Sequence, residues 1–158
     1  MLRDRSLIPL SHQHQHALAL CVRIERALQA GSIDPSQWRK EIARDFKHEI
    51  QFHFAAEEQV LFPAARQFEQ LGPLVDELIR EHAQLRDHFI RAQQGLLNAT
   101  DLGEFAKLLS SHIRKEERHL FEEMQKLLVP EELSAAGREL ERALQEAVRV
   151  CGLRPLEQ

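Results

Sequence analysis

The chain has 158 residues, 43% of them hydrophobic and 29% charged, which is enough for one domain with a core of its own. The formal net charge is −4 and the basic residues are scattered, which excludes the basic footprint of a nucleic-acid binder. No apolar run approaches the roughly 18 residues needed to span a bilayer, and the stretch MLRDRSLIPL has no secretory h-region, so a cytoplasmic protein is expected.

Cys21 and Cys151 lie far apart, form no CxxC, and are expected to be buried thiols. Tyrosine is absent, which removes tyrosyl chemistry and Tyr–metal ligation, whereas nine histidines is a high number for this length.

β-branched residues are few, and Leu, Ala, Glu, Gln and Arg dominate, so nearly every segment reads as helix. The first helix is expected from Ser11, a good N-cap, to about Ala30, with Gly31 ending it. Asp34-Pro35 opens the second, which continues to Phe62; Pro63 then kinks or breaks it, and helical character resumes to about Gln70. Gly72-Pro73 opens the third, to about Leu97. A turn over Asn98 to Asp101 follows, with Asp101 and Glu104 as the capping pair of a fourth helix that ends near Val129. Pro130 breaks it. Glu131 to about Val150 forms a fifth helix, amphipathic through Leu133, Leu140, Leu144 and Val148. Long helices on short loops predict an all-α, up-down-up-down four-helix bundle over about 7–128, with an additional C-terminal helix over about 131–150, in one domain.

Positions four and seven apart share a helix face. The inward stripe of the first helix is His14, Ala17, Leu18, Cys21, Ile24 and Leu28. That of the second is Phe46, Ile50, His53, Glu57, Leu61 and Ala64. The third gives Val75, Leu78, His82, Leu85 and Phe89. The fourth gives Phe105, Leu109, His112, Glu116, His119 and Leu127. Each helix therefore carries a histidine inside its apolar face, and two add a glutamate one turn on. Buried glutamate is rare unless it is paired or metal-bound. Four imidazoles and two carboxylates suit iron, manganese or zinc. The segments HFAAEEQVLFP and HIRKEERHLFE repeat one pattern, His-x3-Glu-Glu-x2-Leu-Phe. Each places a histidine and a glutamate about 6 Å apart along one helix face. On an antiparallel pair the two copies give the halves of a dinuclear site, whose ions lie roughly 3.5–4 Å apart. A structural staple is the plainer alternative.

At these residues the sequence resembles the hemerythrin-like family, the HHE cation-binding domains. The matching pieces are His14 within LSHQHQHAL, HFAAEEQVLFP, Glu81-His82-Ala-Gln-Leu85 and HIRKEERHLF, and the resemblance spans about 7–128. It implies an oxo- or hydroxo-bridged, two-iron non-heme centre inside a four-helix bundle, with iron ahead of zinc or manganese. The implied ligands are His14, His53, Glu57, His82, His112 and Glu116, the two glutamates bridging. The oxygen-carrying members have a fifth histidine where this chain has Arg86, and an aspartate where it has Glu117. The chain is thus more similar to the four-His, two-Glu sites of di-iron proteins implicated in iron–sulfur cluster repair or in sensing.

On the first helix His12 and His16 compete with His14, which the apolar stripe and the family pattern favour. His119 falls two turns from His112 and suits an outer hydrogen-bonding or packed role; Glu117 and His119 stay open as additional ligands. His48 and His88 are expected to face solvent. Phe54, Phe62, Phe89 and Phe121 form dry walls or ordinary core. The expected ligand is a small diatomic gas or peroxide, bound or sensed, or the role lies in iron and redox homeostasis. The alternative is a non-enzymatic helical module with a structural zinc or iron, its fifth helix offered to a protein partner. No nucleophile–base set or phosphate-binding Gly-rich loop is present, so any activity is redox chemistry at the metal.

Overall fold

A computed structural model describes residues 2–150; Cys151 lies outside them. We number the long helices α1 (Ile8–Gln29), α2 (35–65), α3 (Gly72–Gln93), α4 (99–127) and α5 (Pro130–Val150). The first four form the bundle, α1 lying along α4 and α2 along α3. No helix among the described residues is long and apolar enough to cross a membrane.

The helix ends follow local chemistry, with some shifts from expectation. A short 3₁₀ turn, Arg5–Leu7, precedes α1, and Asp4 caps it by accepting from the Ser6 N–H at 2.9 Å. Hence α1 starts at Ile8 rather than at Ser11, whose hydroxyl is used elsewhere. Gly31 and Gly95 follow α1 and α3 with φ of 68° and 75°, the left-handed geometry that favours glycine. Thus α3 ends at Gln93, short of Leu97. Asp34 caps α2 as expected, accepting from the Ser36 N–H at 3.0 Å. The cap of α4 is Asn98, not Asp101. Asn98 Oδ1 accepts from the Asp101 N–H at 2.9 Å, and Asp101 Oδ2 accepts from the Asn98 N–H at 2.8 Å.

Three single π turns interrupt the bundle helices, at Phe46–Ile50, Glu57–Leu61 and Glu116–Leu120. The last two begin at the glutamates of the repeated pattern. In each, the N–H of the following phenylalanine, Phe62 or Phe121, donates to the glutamate carbonyl five residues back. Each turn holds one extra residue and so rotates the remainder of its helix. His119, expected inward, is therefore exposed, while Leu120, Phe121 and Met124 are buried. Pro63 does not break α2. It falls in the first turn after the π segment, where a missing N–H is tolerated, and the helix runs on to Ala65.

Two apolar cores fill the bundle. One contains Ile24, Ile42, Leu85, Phe89, Phe105 and Leu109. The other contains Leu10, Leu61, Phe62, Leu78, Phe121 and Met124, and α5 adds Leu133 and Leu140 to it. Leu133 and Leu140 of the α5 apolar stripe are thus buried against the chain's own bundle, with Leu144 partly buried beside them. The helix comes close because Gly137 lies on the 3₁₀ turn; a Cβ there would sit 2.6 Å from the Cβ of Ser6.

Candidate metal centre

His14 of α1, His53 and Glu57 of α2, His82 of α3, and His112 and Glu116 of α4 meet mid-bundle, each 5% exposed or less. Their atoms sort into two groups. In the first, His14 Nε2 and His53 Nε2 are 2.9 Å apart. Glu57 Oε1 lies 3.0 Å from His53 Nε2, and Glu116 Oε2 lies 3.1 Å from His14 Nε2. In the second, His82 Nε2 and His112 Nε2 are 3.1 Å apart. Glu57 Oε2 lies 3.3 Å from His82 Nε2, and Glu116 Oε1 lies 3.2 Å from His112 Nε2. Each glutamate thus gives one oxygen to each group.

All four carboxylate oxygens are buried and accept no hydrogen bond. An unpaired buried carboxylate is strongly unfavourable, so the cluster demands positive charge. The other ring nitrogens say where the protons sit. His14 Nδ1 faces Glu117 Oε1 at 2.7 Å, His53 Nδ1 faces Gln13 Oε1 at 2.7 Å, His82 Nδ1 faces Glu58 Oε1 at 2.7 Å, and His112 Nδ1 faces Glu81 Oε2 at 2.9 Å. Each of these oxygens is an acceptor, so each Nδ1 carries the proton. In the neutral ring the Nε2 lone pair then points inward. Lone pairs facing each other beside bare carboxylates fit a cation between them. Among the described residues these two groups, His14–His53–Glu57–Glu116 and Glu57–His82–His112–Glu116, are each able to hold a metal ion.

Where no cation is present, protons fill the same role. Burial opposes charge on His14, but the close approach of Glu116, the bond to Glu117 and the charges of Glu116 and Glu57 outweigh it and raise its pKa to about 9. Burial likewise opposes charge on His112, and Glu116 with Glu81 raises it to about 10. His82 is raised too, against burial, by Glu57 and Glu58. Burial pushes Glu57 and Glu116 upward, yet the facing histidines hold both below the usual carboxylate range. The hydrogen bond from His82 is the main reason Glu58 falls to about 2.

An outer layer of cations covers the three acidic acceptors. Arg3 Nη2 donates to Glu117 Oε2 at 2.6 Å, Arg86 Nη1 donates to Glu58 Oε1 at 2.8 Å, and Lys115 pairs with Glu81. Gln13 is neutral and is the one acceptor of the four that carries no charge for a cation to cover. Ser11 donates its hydroxyl to Glu117 Oε1 at 2.7 Å. Phe54 stacks on His82 with ring centres 3.8 Å apart, and Phe121 stacks on His14 at 5.7 Å. Phe62 also reaches His82, whereas Phe89 packs on Phe46 and Phe105 away from the cluster.

A cavity of about 20 Å³ adjoins the first group, room for one water-sized molecule. Ala17, Ile50, Phe54, Leu109 and Ile113 give it apolar walls, and His14, His53 and His112 border it.

His12 and His16 are exposed, and His16 Nδ1 lies 3.4 Å from Glu49 at the surface. Glu117 faces the outer nitrogen of His14, not the inner cluster. Arg86, where the carriers have their fifth histidine, bonds Glu58 and lies over the Phe54 ring. His48 is exposed as expected, but His88 is half-buried, its Nδ1–H donating to the Gln84 carbonyl and its ring against Phe105. Sequence reasoning missed the four acceptors. Their signal is visible in retrospect. The second glutamate of each Glu-Glu pair, Glu58 or Glu117, orients a histidine on the next helix. So does the residue just before His14 and His82, namely Gln13 or Glu81.

Residues 9–124 match the model of the hemerythrin HHE cation binding domain family. Comparisons with curated proteins and with solved structures gave no significant match.

Proposed function

The chain belongs to the hemerythrin HHE cation-binding domain family, and on that premise we propose that it is a non-heme di-iron protein that binds or senses a small oxidant or gas. His14 and His53 would hold one iron, His82 and His112 the other, and Glu57 and Glu116 would bridge them. The observation that carries this is the division of each glutamate, one oxygen to each histidine pair, with no hydrogen-bond donor on any of the four oxygens. Iron, when bound, supplies a ferrous–ferric couple and an open position for a small ligand.

The protein's own part is to bind, orient and exclude water. Two imidazoles and one oxygen from each glutamate would hold each ion. The apolar cavity beside His14 and His53 favours a small uncharged molecule such as dioxygen or nitric oxide over a hydrated anion. The four Nδ1–H donors fix the ring tautomers. Phe54 and Phe121, stacked on His82 and His14, keep water from the rings.

The test is metal analysis of anaerobically purified protein, then absorption spectra before and after dioxygen, nitric oxide or peroxide. Two irons per chain and a ferric or nitrosyl band that grows on exposure are expected. Zinc alone, with no spectral change after anaerobic reconstitution with ferrous iron, would return the centre to a structural staple.

A further inference from the structure

The support of His14 differs from that of the other three histidines in where it comes from. His53 relies on Gln13, which has no charge to cover. Glu58 is held by Arg86 of α3, and Glu81 by Lys115 of α4, both within the bundle. Glu117 is held by Arg3, which lies ahead of α1. Arg3 Nη2 donates to Glu117 Oε2 at 2.6 Å and to the Glu117 carbonyl at 2.7 Å. Its guanidinium lies 5.0 Å from the centre of the Phe121 ring, and that ring stacks on His14. One side chain thus touches both groups that set the His14 ring, the acceptor of its Nδ1–H and the aromatic on its face.

Arg3 is itself fixed. Its Nη1 donates to Gln125 Oε1 at 3.0 Å, the Asp4 N–H donates to the same oxygen at 3.2 Å, and Gln125 Nε2 donates to the Leu2 carbonyl at 2.9 Å. On the far side, α5 clamps the segment where Gly137 meets Ser6.

We propose that Arg3 is a positioning residue for one half of the dinuclear site: through Glu117 and Phe121 it orients His14, so the segment ahead of α1 sets the metal affinity of the His14–His53 group and leaves the His82–His112 group untouched. This rests on the dinuclear reading above. Loss of an outer partner of a ligating histidine lowers metal affinity by about 10–100-fold. Arg3 stands one bond further out, so the lower end, about 10-fold, is expected at one of two ions.

Zinc is the probe, because it is redox-inert and reports donor geometry alone. Stepwise affinities are read by calorimetry and chelator competition on the full chain, for wild type, Arg3→Ala and Gln125→Ala. The second variant frees Arg3 without touching any carboxylate. Both should weaken one ion about 10-fold and leave the other unchanged. On a His14→Ala background Arg3→Ala should then do nothing more, whereas on His112→Ala its full effect should persist. If Arg3→Ala weakens both ions or neither, or still acts without His14, the inference is overturned and the dinuclear reading stands. A wild type that takes up fewer than two ions takes down both.

Discussion

The two halves of the centre are built alike and supported differently. Each has two histidines and one oxygen from each of Glu57 and Glu116. Around His82 and His112 the acceptors are Glu58 and Glu81, both anionic and both covered by cations on bundle helices. Around His14 and His53 they are Glu117 and the neutral Gln13, and the covering cation comes from outside the bundle. The difference teaches where asymmetry is written. The repeated pattern makes the inner layer symmetric, and the residues one layer out make the halves unequal. A carboxylate acceptor raises the basicity of the imidazole it holds more than an amide does. The His82–His112 half should therefore be the tighter one.

The largest effect should come from breaking what the halves share. Glu116→Ala removes an oxygen from both, and affinity should fall by more than about 100-fold at each position, beyond the loss typical of an outer partner. His14→Ala should cost one ion and spare the other. Bound metal per chain after dialysis against a chelator separates these outcomes; equal losses would mean the halves are not independent.

Exchanging the acceptors should even the halves out. Gln13→Glu should tighten the His53 side and Glu81→Gln should loosen the His112 side, each by about 10-fold, as read by competition with a chromophoric chelator. Opposite signs sharpen the comparison. Like signs would show that these residues act through packing.

The pH response should run through both halves, because His14 is raised in one and His112 and His82 are raised in the other. His14 and His112 move from 6.5 to about 9 and about 10 in the metal-free chain. A raised histidine contributes stability that is complete below its unfolded pKa and lost as pH climbs through the folded value. The metal-free chain should thus lose stability between about pH 6.5 and 10. A metal-loaded chain would not rely on those protons. Its lead in melting temperature should widen over that window, and metal uptake at neutral pH should release protons, measurable by calorimetry in buffers of different ionisation enthalpy. A constant gap would mean that protons do not stand in for the metal.

The smallest effect should come from the clamp. Gly137→Ala drives a methyl group against Ser6 and should destabilise by about 1–3 kcal/mol, seen as a lower melting temperature. Metal should then loosen only at the His14 half; uniform weakening would detach the clamp from the comparison.

The inner layer was legible because its signals are periodic. His14 separates from His12 and His16 through the stripe of Ala17, Leu18, Cys21 and Ile24. His53–Glu57 and His112–Glu116 declare themselves by repetition. The outer layer was not legible, because Gln13 and Glu81 sit one residue from a histidine, about 100° around the helix, and read as surface. Their partners lie on other helices. The π turns carry no residue signature, so a regular stripe along α4 runs out of phase after Glu116 and meets His119 instead of Leu120. The periodicity of α5 announced an apolar face, but only its contact with the bundle, close at Gly137, shows what that face covers.

The four acceptor bonds also close a loop. Gln13 ties α1 to α2, Glu58 ties α2 to α3, Glu81 ties α3 to α4, and Glu117 ties α4 back to α1. No bundle helix can swing outward without parting two of them. The waist of the molecule is hooped like a cask, and the amides around it should exchange with solvent as a single cooperative unit, while the ends of the staves fray on their own.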